Sequence, residues 1–134
     1  MFLYNLGVYA YTFAIYLASV FKPKAKLWVA GRKNWKQNYR EKLKSFQQHK
    51  KIWVHCASMG EFEQGRPLME FIKKQHPEYK IILTFFSPSG FEFCKNYEKA
   101  DAVFYLPYDS ISNAKTFLEI VNPTKVFFIK YEFW

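Results

Sequence analysis

The chain of 134 residues is the length of one small domain, and it is half hydrophobic and 22% aromatic, which excludes a disordered polymer. Two cysteines, Cys56 and Cys94, exclude a disulfide-rich secreted scaffold and supply no zinc-ligand cluster. The formal charge of +9 is concentrated in one stretch: Lys22 to Lys51 holds eleven Lys/Arg against the single acid Glu41, a net +10, and the remainder sums to −1. Such a stretch suits a polyanion, whether a nucleic acid or a membrane surface.

Residues 1–21 contain no charged side chain. As a helix, residues 2–21 would extend roughly 30 Å, about the thickness of a bilayer's hydrocarbon core. The positive charge follows this run instead of preceding it, and no small-residue cleavage pattern comes after, so a secretory signal peptide is disfavoured. The pattern predicts an uncleaved membrane-anchor helix over 1–21 with its C-terminal flank in the cytoplasm. A buried core helix is the alternative.

Residues 22–50 form a basic segment in which Trp28, Trp35, Tyr39, Leu43 and Phe46 fall on one face of a helix. Two readings fit. The aromatic face lies in the plane of an anionic membrane, or it packs on the globular body and leaves the charges solvated. In the first reading Lys22, Lys24, Lys26, Arg32, Lys33, Lys36 and Arg40 meet anionic headgroups or phosphates. Gly31 predicts a break between Ala30 and Arg32.

From residue 51 to 134 short apolar runs alternate with helical patterns. Ile52–Cys56, Ile81–Phe86, Val103–Leu106 and Val126–Ile129 read as strands, with helices predicted at about 61–75, 88–98 and 110–121. This alternation predicts an α/β fold, a Rossmann-like parallel sheet of four strands. Ligands on such sheets bind beyond the carboxyl ends of the strands, which directs attention to 57–63, 87–90, 107–110 and 130–134. No dinucleotide fingerprint or phosphate-binding loop of the Walker type is present. Ser87-Pro88 predicts a helix start, Asp109 a cap on the next helix, and Asn122-Pro123 its end.

Ser58-Met59-Gly60-Glu61 has two readings. Ser-x-x-Glu before an apolar helix is a capping box, in which Glu61 returns to the Ser58 amide. Alternatively Glu61, at the mouth of the sheet beside Gly60, is a general base for a substrate hydroxyl, its negative charge favoured by the helix N-terminus. Both roles compete for one side chain. His55, inside a strand, reads as a core or supporting residue, and the two cysteines as buried thiols.

Taken together, several blocks resemble the N-terminal half of the 3-deoxy-D-manno-octulosonic acid (Kdo) transferases of lipopolysaccharide synthesis. They are Gly31-Arg32, Tyr39-Arg40-Glu41, the run from Trp53 through His55 and Ser58 to Glu61, Pro67-Leu68, Thr84 to Gly90, Tyr105 to Asp109, and Glu132-Phe133-Trp134. The resemblance implies a GT-B glycosyltransferase whose N-terminal domain meets a lipid A precursor at the inner membrane. The donor, CMP-Kdo, would be held by a C-terminal domain. It implies Glu61 as general base in an inverting transfer that uses no metal or other cofactor. It also implies an acceptor-binding set of Ser58, Gly60, Arg66, Ser87, Ser89, Gly90 and Glu132. Lys130 stands where the family has a glutamate implicated in stabilising the transition state. The serines of Ser87-Pro88-Ser89-Gly90 keep the hydroxyls of the family's pattern. Because the chain stops at Trp134, the donor domain is expected to be absent and the fragment inactive alone. The competing readings are a non-catalytic membrane-anchored module that binds anionic lipid or a protein partner, and a nucleic-acid binder using residues 22–51. The apolar run beside that stretch makes the nucleic-acid reading the weakest, so no nucleic-acid partner is expected.

Overall fold

A computed structural model describes residues 2–130. Each of the four apolar runs is a strand: β1 (Lys51–Cys56), β2 (Lys80–Phe85), β3 (Ala102–Tyr105) and β4 (Lys125–Phe128). All pair in parallel, in the order β3-β2-β1-β4, with Val54 level with Leu83 on one side and Phe127 on the other. The connecting helices are α4 (Met59–Gln75), α5 (Pro88–Cys94) and α6 (Ile111–Val121). This is the α/β parallel sheet predicted from the alternation of runs. α5 stops at Cys94, short of the expected 98.

Side-chain alternation along the strands separates two cores. Ile52, Val54, Cys56, Ile81, Leu83 and Phe85 pack with Phe62, Met69 and Ile72 of α4. On the opposite face Trp53, Ile82, Phe104, Phe117 and Val121 form the second core.

The N-terminal third departs from expectation. Helix α1 runs Phe2–Ser19, and a turn at residues 20–21 precedes α2 (Pro23–Ala30), where Pro23 occupies the first turn. Among the described residues no helix is long and apolar enough to cross a membrane, so the spanning anchor is not supported. The reason is physical: 18 residues rise only about 27 Å, and four tyrosines with Asn5 dilute the hydropathy. The helix is nonetheless apolar and exposed around most of its circumference, with Tyr9 at 67% and Phe13 at 65%.

The aromatic stripe of 28–46 does not form one membrane-lying helix. It divides into α2, α3 (Trp35–Leu43) and a 3₁₀ turn over Lys44–Phe46, with Asn34 in the left-handed region at φ 53° before α3. Trp35, Tyr39 and Leu43 are buried in the second core. Tyr39 stacks on Phe104 with ring centres 3.8 Å apart, and its hydroxyl donates to the Tyr105 carbonyl at 2.8 Å. The stripe found a protein partner, as the packed-helix alternative required.

Candidate active site at the sheet rim

The carboxyl ends of β1, β2 and β3 open onto one rim, and backbone bonds hold its loops together. The Ser87 amide donates to the Ala57 carbonyl at 2.9 Å, joining the loop after β1 to the loop after β2. The Leu106 amide donates to the Phe85 carbonyl at 2.8 Å, joining β2 to the loop after β3. Beyond β4, the Ile129 amide donates to the His55 carbonyl at 3.0 Å, which sets Lys130 beside the end of β1.

Glu61 lies in the first turn of α4 and is half-buried. Ser58, in extended conformation at φ −140°, is the N-cap, and the two residues form a capping box in which the Ser58 amide donates to Glu61 Oε2 at 2.9 Å. The structural role of Glu61 is therefore present, and Oε1 is the oxygen left to meet a ligand. Gly60 is exposed beside it, and a Cβ there would meet only Ser58 Oγ at 3.9 Å, so the backbone is open to close approach.

Ser87 caps α5, accepting from the Gly90 amide at 3.2 Å, and its hydroxyl lies 3.2 Å from that of exposed Ser89. Gly90 is a correction: it is buried, and a Cβ would come within 2.6 Å of Phe85 Cδ1 and 3.3 Å of the Met59 amide nitrogen. Its glycine is required for packing α5 against β2 and the start of α4. Arg66 lies farther along α4, exposed, and pairs with Glu63 at 3.1 Å. Lys130 is exposed and sits at φ 69°, a left-handed conformation that costs a lysine roughly 1 kcal/mol or more. Glu132 lies outside the described residues.

Behind the rim, His55 is 1% exposed and its Nδ1 lies 2.8 Å from Thr84 Oγ1, which also accepts from Trp53 Nε1 at 2.8 Å. Burial pushes the imidazole down to about 4, so it is neutral near pH 7 and serves as the supporting residue expected. Cys56 and Cys94 are free and buried, and burial raises their thiols to about 12 and about 11. Among the described residues no group of three or more His, Cys, Asp or Glu comes together that could hold a metal ion.

The basic residues divide. Lys22, Lys24, Lys26, Lys33, Lys36 and Arg40 are exposed, whereas Arg32 is 2% exposed and cannot serve as a surface contact. Burial lowers its guanidinium to about 10, which leaves it charged at neutral pH. Nothing in the neighbouring sequence separates this buried arginine from the exposed lysines around it. The contacts of Tyr108 and Asp109 were also missed. Tyr4 of α1 donates to Asp109, and the Tyr16 and Tyr108 hydroxyls are 3.3 Å apart. Asp109 thus holds α1, and Ser110 caps α6 in its place by accepting from the Asn113 amide at 3.2 Å. An open cavity of about 580 Å³ lies at the opposite end of the sheet against Arg40, Lys51 and Asn122. Its Lys51 ammonium is already engaged by the Phe46 and His49 carbonyls.

Comparison with known proteins bears on this rim. A family described as 3-deoxy-D-manno-octulosonic-acid transferase (kdotransferase) matches residues 33–134. A 3-deoxy-D-manno-octulosonic acid transferase of Aquifex aeolicus is 36% identical over 84 residues, covering 62% of this chain and 23% of that protein. The Haemophilus influenzae transferase of the same name is 33% identical over 85 residues, covering 62% and 20%. That of Rickettsia felis is 31% identical over 84 residues, covering 62% and 18%. The chain thus spans about a fifth of the length of the curated relatives it matches. No solved structure matches it.

Proposed function

Because the chain belongs to the 3-deoxy-D-manno-octulosonic-acid (Kdo) transferase family, we propose that it is the acceptor-side half of a glycosyltransferase that moves Kdo from CMP-Kdo to a lipid A precursor. A hydroxyl oxygen of the acceptor sugar attacks the anomeric carbon of Kdo. The bond from that carbon to the CMP phosphate oxygen breaks, CMP leaves with the electron pair, and the hydroxyl proton passes to Glu61. Attack opposite the leaving group inverts the anomeric configuration. Glu61 Oε1 receives the proton while Oε2 stays on the Ser58 amide. Ser58, Ser87 and Ser89 supply hydroxyls to the acceptor, Gly60 admits its close approach, and Lys130 approaches the reacting centre from beyond β4. The transfer needs no metal, and the donor is held by a further domain of the enzyme.

One observation carries the reading: the exposed apolar helix α1 is attached to the rim that bears Glu61, through Tyr4–Asp109 and Tyr16–Tyr108. A helix so exposed and uncharged suits the interfacial layer of a bilayer, and the lysines of α2 and α3 suit anionic headgroups and acceptor phosphates at the cytoplasmic face of the inner membrane. A lipid-borne sugar would then reach the rim without leaving the membrane. The capping bond of Glu61 favours one competing reading, a non-catalytic membrane module in which that carboxylate is only a cap. Flotation of the chain with phosphatidylglycerol vesicles, with and without lipid A precursor at equal total charge, separates the two. The transferase reading expects an affinity about tenfold higher with the precursor, near 1.4 kcal/mol. Equal affinity contradicts it.

A further inference from the structure

The N-terminal helices and the rim meet at one buried cation. From Nε, Nη2 and Nη1, Arg32 donates to the carbonyls of Leu106 at 2.8 Å, Phe86 at 2.9 Å and Trp28 at 3.1 Å. Among the described residues no carboxylate pairs with it. Its charge rests against rings instead, 4.2 Å from the centre of Trp28, 5.1 Å from Phe86 and Tyr105, and 5.9 Å from Tyr108. Gly31 allows this closeness, since a Cβ there would fall 2.2 Å from Tyr105 Cε2.

The three carbonyls belong to three different pieces. Phe86 directly precedes Ser87 at the root of the β2 loop, Leu106 directly precedes Pro107 at the root of the β3 loop, and Trp28 lies in the last turn of α2. A desolvated guanidinium without a counter-ion is costly, and an apolar side chain would fill the space more cheaply. What an apolar side chain cannot do is hold three carbonyls in fixed directions, which the planar fork of an arginine does and the point charge of a lysine does not.

We propose that Arg32 is a positioning residue of the acceptor side, fixing α2, and through it α1, at one angle to the Ser87 and Asp109 loops. It touches no substrate and acts through the Phe86 and Leu106 backbone. The assignment rests on the rim being the acceptor side.

Hydrogen exchange on the 134-residue chain tests it, with Arg32→Lys as the charge-preserving variant. Exchange over residues 86–90 and 106–110 should rise about tenfold, while protection over β1 and β2 stays within about twofold of the unsubstituted chain. Binding to phosphatidylglycerol vesicles should be unchanged and the preference for vesicles with lipid A precursor lost. Rim exchange equal to that of the unsubstituted chain overturns the proposal, because charge alone then suffices. Uniform loss of protection across all four strands also overturns it, by assigning Arg32 to the fold as a whole. A second variant, Gly31→Ala, displaces α2 from Tyr105 with the arginine retained; the same local rise supports the proposal and an unmoved rim contradicts it. If the unsubstituted chain shows no preference for the precursor, the acceptor reading falls, while the exchange comparison still judges the hold of Arg32 on the two loops.

Discussion

Helices α1 and α3 are both rich in aromatic residues, yet they end in opposite environments. In α3 the aromatics recur every four residues among charges, and that single stripe is buried against Phe104 of β3 and Phe117 of α6. In α1 apolar residues occur on every side, only one stripe meets α2, and Tyr9, Phe13 and Leu17 stay exposed. A narrow stripe is satisfied by one protein partner. A helix apolar all round needs either a full protein enclosure or a lipid surface, and nothing among the described residues encloses α1.

This contrast is open to attack from both sides. The largest effect belongs to Tyr39→Ala, which removes the stack on Phe104 and the bond to the Tyr105 carbonyl; urea unfolding should show a loss of about 3–5 kcal/mol. Next comes acid. His55 lies on the same sheet face as α3, and its folded value of about 4 is below the unfolded 6.5. The unfolded chain therefore takes up the proton first, and stability present above pH 6.5 is lost as pH falls toward 4, by roughly 3 kcal/mol. His55→Asn should flatten that slope in a pH series of unfolding curves. Smaller again, Lys24→Gln with Lys26→Gln should weaken binding to anionic vesicles by about 2 kcal/mol at low salt and by much less at high salt. Last, Phe13→Ala should change folding stability by less than about 0.5 kcal/mol while reducing vesicle binding. A substantial loss of stability there would mean that α1 is a core helix after all.

The sheet was legible because burial on both faces writes itself as short apolar runs, and because Ser87-Pro88 and Asn122-Pro123 punctuate the helices between them. The strands begin one residue earlier than the runs, at Lys51, Lys80, Ala102 and Lys125, where backbone pairing does not need an apolar side chain. The fate of the α3 stripe was not legible, since lipid and protein both satisfy it, and the deciding partners Phe104 and Phe117 are more than 60 positions away. For the same reason composition counted Arg32 with the surface lysines, and only the distant Phe86 and Leu106 carbonyls reveal its burial. Gly90 read as a ligand contact from its motif, whereas the ring of Phe85 is what forbids a side chain there. The Ser58–Glu61 pair could be seen in both of its roles. Geometry supplies the cap, and chemistry has to supply the other.

That last question has a direct measurement. In a complete transferase carrying this N-terminal sequence, Glu61→Gln keeps an oxygen for the Ser58 amide but cannot accept a proton. Kdo transfer should fall by about 100-fold or more, with thermal stability and binding to the lipid A precursor unchanged. Transfer near the unsubstituted rate would leave Glu61 as a helix cap alone and remove the proposed base from the mechanism.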